Sequence, residues 1–245
     1  MSETAIIIPA RYGSTRLKAK PLIEVKGKPI IQWVWEKAVK ATLADRVIIA
    51  TDSEEIFTTA LMFGAEAEMT LDTHTSGSDR VAEVAERHPE FQYIVNLQGD
   101  EPLITAEGLN EVINCVKQEG VDISTLIRVL TDKKEIESPN CVKCVTDDND
   151  FALYFSRSKI PYERNESYAK IYGHLGVYGY KREALFKMTK TPQSTLELAE
   201  SLEQLRALQI GMKIKTHIVD FTPVGIDTEE DLKKFESIIN STQNY

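Results

Sequence analysis

The first hundred residues alternate short β-branched runs with stretches of helical period, and this alternation constrains the fold more than any other feature. Ala5–Pro9 ("AIIIP"), Arg46–Thr51 ("RVIIAT") and Tyr93–Gln98 ("YIVNLQ") have the length and composition of buried strands. Between the first two, Pro29 opens a segment whose Ile30, Ile31, Val34, Ala38 and Leu43 fit one helical face. A second helix is predicted from about Ser53 to Phe63, closed by Gly64, and a third from about Ser78 to His88-Pro89. Strand and helix in turn predict a mainly parallel sheet with helices on both faces. Ligands of such sheets bind beyond the carboxyl ends of the strands. That places residues 11–20, Thr51-Asp52 and Gln98-Gly99-Asp100 on one rim.

The pattern changes after Val121. "VDISTLIRVL", "CVKCV", "FALYFSRS" and "HLGVYGY" read as strands with little helix between them, an antiparallel lobe at about residues 125–190 set on a single domain of 245 residues. A continuous helix is predicted over Thr195–Ile210, with Leu198, Leu202, Leu205 and Gln209 on one face and Gly211 beyond its end. The strand "KIKTHIV" follows, then the turn "GID" and a last helix whose Thr228 and Asp231 have capping-box spacing.

Charge is distributed unevenly. Lys+Arg number 29 against 38 Asp+Glu, a formal net charge of -9. Yet from Arg11 to Lys28 the bases Arg11, Arg16, Lys18, Lys20, Lys26 and Lys28 face one acid, Glu24. A local reversal of sign behind a buried strand points to an anionic ligand, because focusing follows the local field. The acidic whole lacks the basic footprint nucleic acid requires, so a small phosphorylated molecule is expected. The loop "ARYGSTRLKAK" has neither the ending of a Walker loop nor the glycines of a dinucleotide fingerprint. Phosphate would be held by Gly13, Ser14, backbone N–H groups and the cations Arg11, Arg16 and Lys20.

Asp100 in "LQGDEP" and Asp227 in "VGIDTEED" are two carboxylates able to converge on that loop, and with phosphate and water oxygens they would hold Mg²⁺. Each also reads as a turn residue, Asp227 the more so because it directly precedes the helix cap. "HTSGSDR" admits two readings: Ser78 as a helix cap with a solvated Arg80, or Ser76, Gly77 and Arg80 along a base or phosphate. Asp52 reads as a cap. In the lobe, Arg157 and Arg164 are cations near Tyr154 and Tyr162. His174, Gly176 and Tyr178 share one strand face and would form a binding wall. Glu203-Gln204 reads as the solvated side of its helix. Cys115, Cys141 and Cys144 are odd in number and read as packing thiols of a reduced protein. No apolar run approaches the roughly 20 residues that span a bilayer, and Met1–Thr4 shows no secretory pattern, so a cytoplasmic protein without membrane attachment is expected.

Taken in order, "IPARYGSTRL", "KPL" with "GKPII", "ATDSEEI", "SGSDR", "NLQGDEP", "ALYFSRSKIPY", "HLGVYGY", "LEQLRAL" and "GIDTEEDL" resemble the 3-deoxy-manno-octulosonate (Kdo) cytidylyltransferase family, over nearly the whole chain. The resemblance implies a Rossmann-like nucleotidyltransferase fold and a homodimer formed through the lobe. It implies transfer of CMP from CTP to the anomeric hydroxyl of Kdo, giving CMP-Kdo and pyrophosphate for lipopolysaccharide or capsule. Carried over, Lys20, Arg11, Asp100 and Asp227 would be catalytic, with Mg²⁺ on Asp100 and Asp227. Pro9, Ala10, Arg11, Arg16, Lys20, Ser76, Gly77, Arg80 and Gln98 would bind CTP. Gln98, Arg157, Arg164, His174, Tyr178, Glu203 and Gln204 would enclose the sugar acid. The chain departs from the family pattern twice: Lys18-Ala19 stands where many members have Pro-Gly, and Asp79 where Glu is common. A hexose-1-phosphate nucleotidyltransferase would open with a Gly-x-Gly-Thr-Arg loop, which is absent. A glycosyltransferase reading rests on Asp148-Asn-Asp150 in a polar turn, and a non-catalytic nucleotide-binding protein would share the fold.

Overall fold

The computed structural model describes residues 3–242 other than 14–16, 166–167, 169 and 223–224. It has the expected class: α/β, with a mainly parallel sheet flanked by helices and a smaller antiparallel group of strands. The chain forms two compact units, residues 1–110 with 222–245, and residues 111–221. The expected lobe at 125–190 falls inside the second.

In the first unit the order is β1 (Glu3–Ala10), β2 (Glu24–Val25), β3 (Lys28–Pro29), α1 (Ile30–Ala38), β4 (Arg46–Thr51), α2 (Glu54–Met62), β5 (Glu66–Met69), α3 (Gly77–Arg87) and β6 (Phe91–Leu97). Helix α4 (Ala106–Val116) contains the division between the units. Strands β6, β1, β4 and β5 lie side by side in that order, all parallel. Burial explains the near-continuous apolar runs: Ala5 to Ile8 and Ile48 to Ala50 are fully covered. The chain steps outward from β1 to β4 and β5, then returns to β6 on the other side of β1. Strand order therefore reverses at the carboxyl ends of β1 and β6, where open α/β sheets place their ligands.

The predicted helices form with small shifts. Ser53 caps α2 by accepting from the Ile56 N–H, and Gly64 takes φ +86° beyond its end. Leu43 lies outside α1 and is exposed. The closing helix α9 (Glu229–Thr242) belongs to the first unit. Its Phe235 packs with Val25, Ile30 and Ile226, all buried, alongside Trp33 and Leu232. Covering side chains such as Phe235 and Ile226 contributes roughly 1.5–3 kcal/mol each.

The second unit holds β7 (Ile123–Val129), α5 (Lys133–Glu137), β8 (Lys143–Thr146), β9 (Ala152–Ser156), β10 (Tyr172–Lys181), α6 (Arg182–Lys190), α7 (Thr195–Glu200), α8 (Gln204–Gln209) and β11 (Ile214–Val219). Strand β10 runs antiparallel to β7 and β8, β8 antiparallel to β9, and β11 parallel to β7. The continuous helix expected over Thr195–Ile210 is two helices. Ser201 adopts φ +51° and ends α7, and Leu198 is exposed while Leu202 and Leu205 are buried. Lys143 is fully buried, its ammonium donating to the carbonyls of Ser138, Cys141 and Arg157 at 2.5–2.8 Å. Cys141 precedes β8, and burial pushes the Cys144 thiol up to about 12, in keeping with packing thiols.

Candidate active site

Seven of the residues predicted to bind CTP come together in the first unit. Pro9 and Ala10 end β1, Ser76 and Gly77 open α3, and Gln98 follows β6. With Arg11, Arg80, His74 and Thr75 they line a cavity of about 150 Å³ at the switch point of the sheet. Whole-ligand pockets are usually about 300–1,000 Å³, so the cavity suits one ring of a larger ligand. Gly77 allows close approach: a Cβ there would lie 3.3 Å from Gln98 Nε2 and from Pro9 Cγ, tight enough that one of them would have to shift by a few tenths of an ångström. The Gln98 amide donates to Asn96 Oδ1 at 2.9 Å, and Asn96 donates to Ser78 Oγ at 3.3 Å, so a buried relay orients it.

The cap reading of "HTSGSDR" needs correction on both of its points. Ser76, not Ser78, caps α3, its Oγ accepting from the Asp79 N–H at 3.1 Å, while Ser78 is buried inside the helix. Arg80 is not solvated: it is 3% exposed and donates to Asp52 Oδ2 at 2.6 Å and to the Thr70 hydroxyl. Asp52 is therefore an ion-pair partner, and Ser53 is the cap of α2. Because Arg80 is neutralised by Asp52, the cation left open beside the cavity is Arg11. It is exposed and has no partner among the described residues. Arg16 and Ser14 lie outside the described residues.

The second cluster is ionic. Lys20 Nζ donates to Asp100 Oδ2 at 2.5 Å and to Asp227 Oδ1 at 3.0 Å. Local structure explains how residues so distant in sequence meet. Lys20 opens a short 3₁₀ turn, Lys20–Leu22, behind Ala19 in the left-handed region at φ 52°. Asp100 follows β6. Asp227 is drawn in by its neighbour Ile226, whose N–H donates to the Asp100 carbonyl at 2.9 Å and whose side chain is buried against Phe235. Burial alone would lower the Lys20 pKa, but Asp100 and then Asp227 hold it above its ordinary value. Thr228 and Asp231 exchange the cap hydrogen bonds of α9, and the Asp227 carboxylate meets Lys20.

Sequence reasoning passed over Glu101. Its Oε2 is buried without a partner among the described residues, and burial, then the charges of Asp100 and Asp227, push its carboxyl up to about 8. An acid beside Asp100 in "LQGDEP" was the available signal. Among the described residues, no group of three or more His, Cys, Asp or Glu is arranged to hold a metal. Two carboxylates do suffice for Mg²⁺, which keeps water ligands and takes oxygen from a bound phosphate. Asp100 Oδ2 and Asp227 Oδ1 already converge on one cation, the Lys20 ammonium, so the donor set fits.

The residues predicted for the sugar acid lie in the second unit, apart from Gln98. His174 and Tyr178 do share a face of β10, with ring centroids 5.3 Å apart. Burial pushes the His174 imidazole down to about 3 and the Tyr178 phenol well above its ordinary value, so both are neutral groups. Arg157 spends its guanidinium on the carbonyls of Glu200, Pro139 and Ser201 at 2.7–3.2 Å. Arg164 is exposed in a bend. Glu203 precedes α8 and accepts from Arg206 at 3.4 Å, and Gln204, expected on a solvated side, is buried.

Comparison with known proteins follows the same lines. The family model for cytidylyltransferases matches residues 5–214. A 3-deoxy-manno-octulosonate cytidylyltransferase of Fusobacterium nucleatum is 46% identical over 96% of this chain and 94% of its own. One of Thermodesulfovibrio yellowstonii is 43% identical over 97% and 98%. A solved structure of CMP:2-keto-3-deoxy-manno-octonic acid synthetase complexed with CTP superimposes with a TM-score of 0.94 at 38% identity, covering 98% of this chain and all of that one. With the cavity at the β1/β6 switch point and the Lys20–Asp100–Asp227 cluster in place, the chain belongs to the 3-deoxy-manno-octulosonate cytidylyltransferase family.

Proposed function

We propose that this chain joins CTP and Kdo into CMP-Kdo and pyrophosphate. The observation that carries the reading is the pairing of a ring-sized cavity beside Arg11, which has no partner among the described residues, with the Lys20–Asp100–Asp227 cluster, both in the first unit. The cytosine ring occupies the cavity. Arg11 and Lys20 lie against the triphosphate, and Arg16, outside the described residues, is the third cation proposed for it. The anomeric hydroxyl of Kdo attacks the α-phosphorus and gives up its proton to solvent, a new P–O bond forms, and the bond to the β,γ-diphosphate breaks, releasing pyrophosphate. No covalent enzyme intermediate is needed, so rate comes from orientation and from neutralising charge that develops on the phosphates. Asp100 and Asp227 would hold Mg²⁺, which when bound neutralises phosphate charge.

For the sugar acid the second unit offers Arg157, Arg164, His174, Tyr178, Glu203 and Gln204. The neutral His174 and Tyr178 suit hydroxyls, and a carboxylate calls for an arginine. Among the described residues no helix is long and apolar enough to cross a membrane. We further infer action in the cytoplasm, as a homodimer, on a product destined for lipopolysaccharide or capsule. The test is pyrophosphate release from CTP and Mg²⁺ with Kdo, 8-amino-Kdo or sialic acid as acceptor. Release with Kdo well above release with sialic acid supports the reading. CTP binding without turnover on any acid sugar would sink it.

A further inference from the structure

An irregularity in β10 sets the chemistry of His174. Pairing with β7 runs in step from Tyr172–Val129 to Leu175–Leu126 and resumes at Tyr178–Thr125, so Gly176 and Val177 are extra residues on β10. Such a bulge disrupts the ladder locally. The fully buried Thr125 sits opposite it. Its Oγ1 lies 2.7 Å from the Val177 carbonyl oxygen, 3.2 Å from that of Leu175 and 2.9 Å from His174 Nε2.

A hydroxyl has one proton, and a carbonyl oxygen only accepts. Were Thr125 to donate to the imidazole, two oxygens would face each other at 2.7 Å with no proton between them. The Thr125 proton therefore goes to Val177, and the imidazole donates to Thr125 from Nε2. Nδ1 is left with its lone pair and has no partner among the described residues. Phe155 and Tyr178, with ring centroids 5.0 and 5.3 Å from the imidazole, fix the ring plane. A bare ring nitrogen cannot receive a carboxylate, which only accepts, but it can accept from a hydroxyl.

We propose that Thr125 is a positioning residue, which locks His174 in the Nε2–H tautomer so that Nδ1 accepts a hydrogen bond from a hydroxyl of the sugar acid. The ligand half of this rests on the reading of His174 as part of the sugar site, and the tautomer half does not.

The experiment is long-range ¹H–¹⁵N correlation on the full chain labelled at its four histidines, with His174→Gln assigning the His174 signals. Wild type should show Nε2 protonated and Nδ1 bare. Thr125→Val should mix or invert the tautomers and raise the Kdo KM about fivefold or more, the loss of one neutral hydrogen bond, with the CTP KM unchanged. Thr125→Ser should restore both. A purely structural role would lower stability in Thr125→Val without moving the tautomer. A protonated Nδ1 in wild type overturns the proposal, and this decides even if Thr125→Val does not fold. An unmoved tautomer in a folded Thr125→Val overturns it as well. The expected tautomer with an unchanged Kdo KM overturns the assignment of His174 to the sugar and leaves the Thr125–His174 bond standing.

Discussion

The Lys20 ammonium lies 2.5 Å from Asp100 Oδ2, with Asp227 Oδ1 on its other side at 3.0 Å. A cation between two carboxylates, with the buried Glu101 beside them, neutralises acids that would otherwise repel one another. It also stands where a divalent ion would be drawn. In Lys20→Met the carboxylates lose that competitor, so nucleotide-free protein should bind Mg²⁺ more tightly than wild type by calorimetry. Turnover should fall by roughly 10²-fold or more, since a charge opposite the reacting phosphates is lost. Weaker Mg²⁺ binding in the variant would show that Lys20 does not compete for the site.

Asp227 is separable from the cap of its helix. Thr228 and Asp231 hold the start of α9, whereas the Asp227 carboxylate is on Lys20. Asp227→Asn keeps shape and removes charge. Melting temperature should stay close to wild type while Mg²⁺-dependent kcat drops by on the order of 10²-fold. An early-melting variant with normal turnover would remove Asp227 from the chemistry.

Gly77 tests the cavity. Its Cβ position is 3.3 Å from Gln98 and Pro9, one held by Asn96 and the other fixed in β1. Gly77→Ala should raise the CTP KM about tenfold with little change in the Kdo KM, because the lost space is on the nucleotide side. Equal effects on both constants would argue against a base in that cavity.

Ala19 stands at φ 52°, in the region that favours glycine. A left-handed alanine costs roughly 1–2 kcal/mol, offset in part by the greater unfolded-state freedom of glycine. Ala19→Gly should therefore stabilise the chain by about 1 kcal/mol in urea denaturation. A loss of stability would mean that the loop does not need this conformation.

What the sequence disclosed and what it hid have physical causes. Strands β1, β4 and β6 were legible because full burial demands unbroken apolar runs. Strand β5, "EAEM", was not. It ends the row of strands and is only four residues long, so the alternation of Glu66 and Glu68, paired with Arg46, Arg87 and His88, with Ala67 and Met69 is too short to stand out. Asp100, Asp227 and Lys20 could be singled out as chemistry-bearing types near turns. Their meeting depended on Ile226 entering a core cluster, which no local pattern announces. The roles of Arg80, Thr125 and Lys143 were hidden because a buried polar side chain is explained only by partners far along the chain.

The break at Ser201 gives the sharpest case, and it carries a pH prediction. Glu197 and Arg206 are nine residues apart, about 13 Å along a continuous helix at 1.5 Å per residue. The turn between α7 and α8 instead brings them into a two-pronged pair, Arg206 Nε to Glu197 Oε2 at 2.8 Å and Nη2 to Oε1 at 2.6 Å, both side chains buried. Burial alone would raise the Glu197 pKa, but Arg206 and the Ser194 N–H hold it below its ordinary 4.5. A depressed folded pKa means stability that is present above the unfolded value and lost as pH falls through the folded one. Glu197→Gln strands a buried guanidinium and should cost about 3–5 kcal/mol at pH 7. Below about pH 4.5 wild type loses its advantage while the variant has no carboxyl to protonate, so the gap between them should narrow. Denaturation of both proteins at pH 7 and pH 4 measures it. A gap of equal size at the two pH values would mean that Glu197 does not titrate with folding, and that Glu203 and the carbonyls of Met188 and Thr191 suffice to hold Arg206.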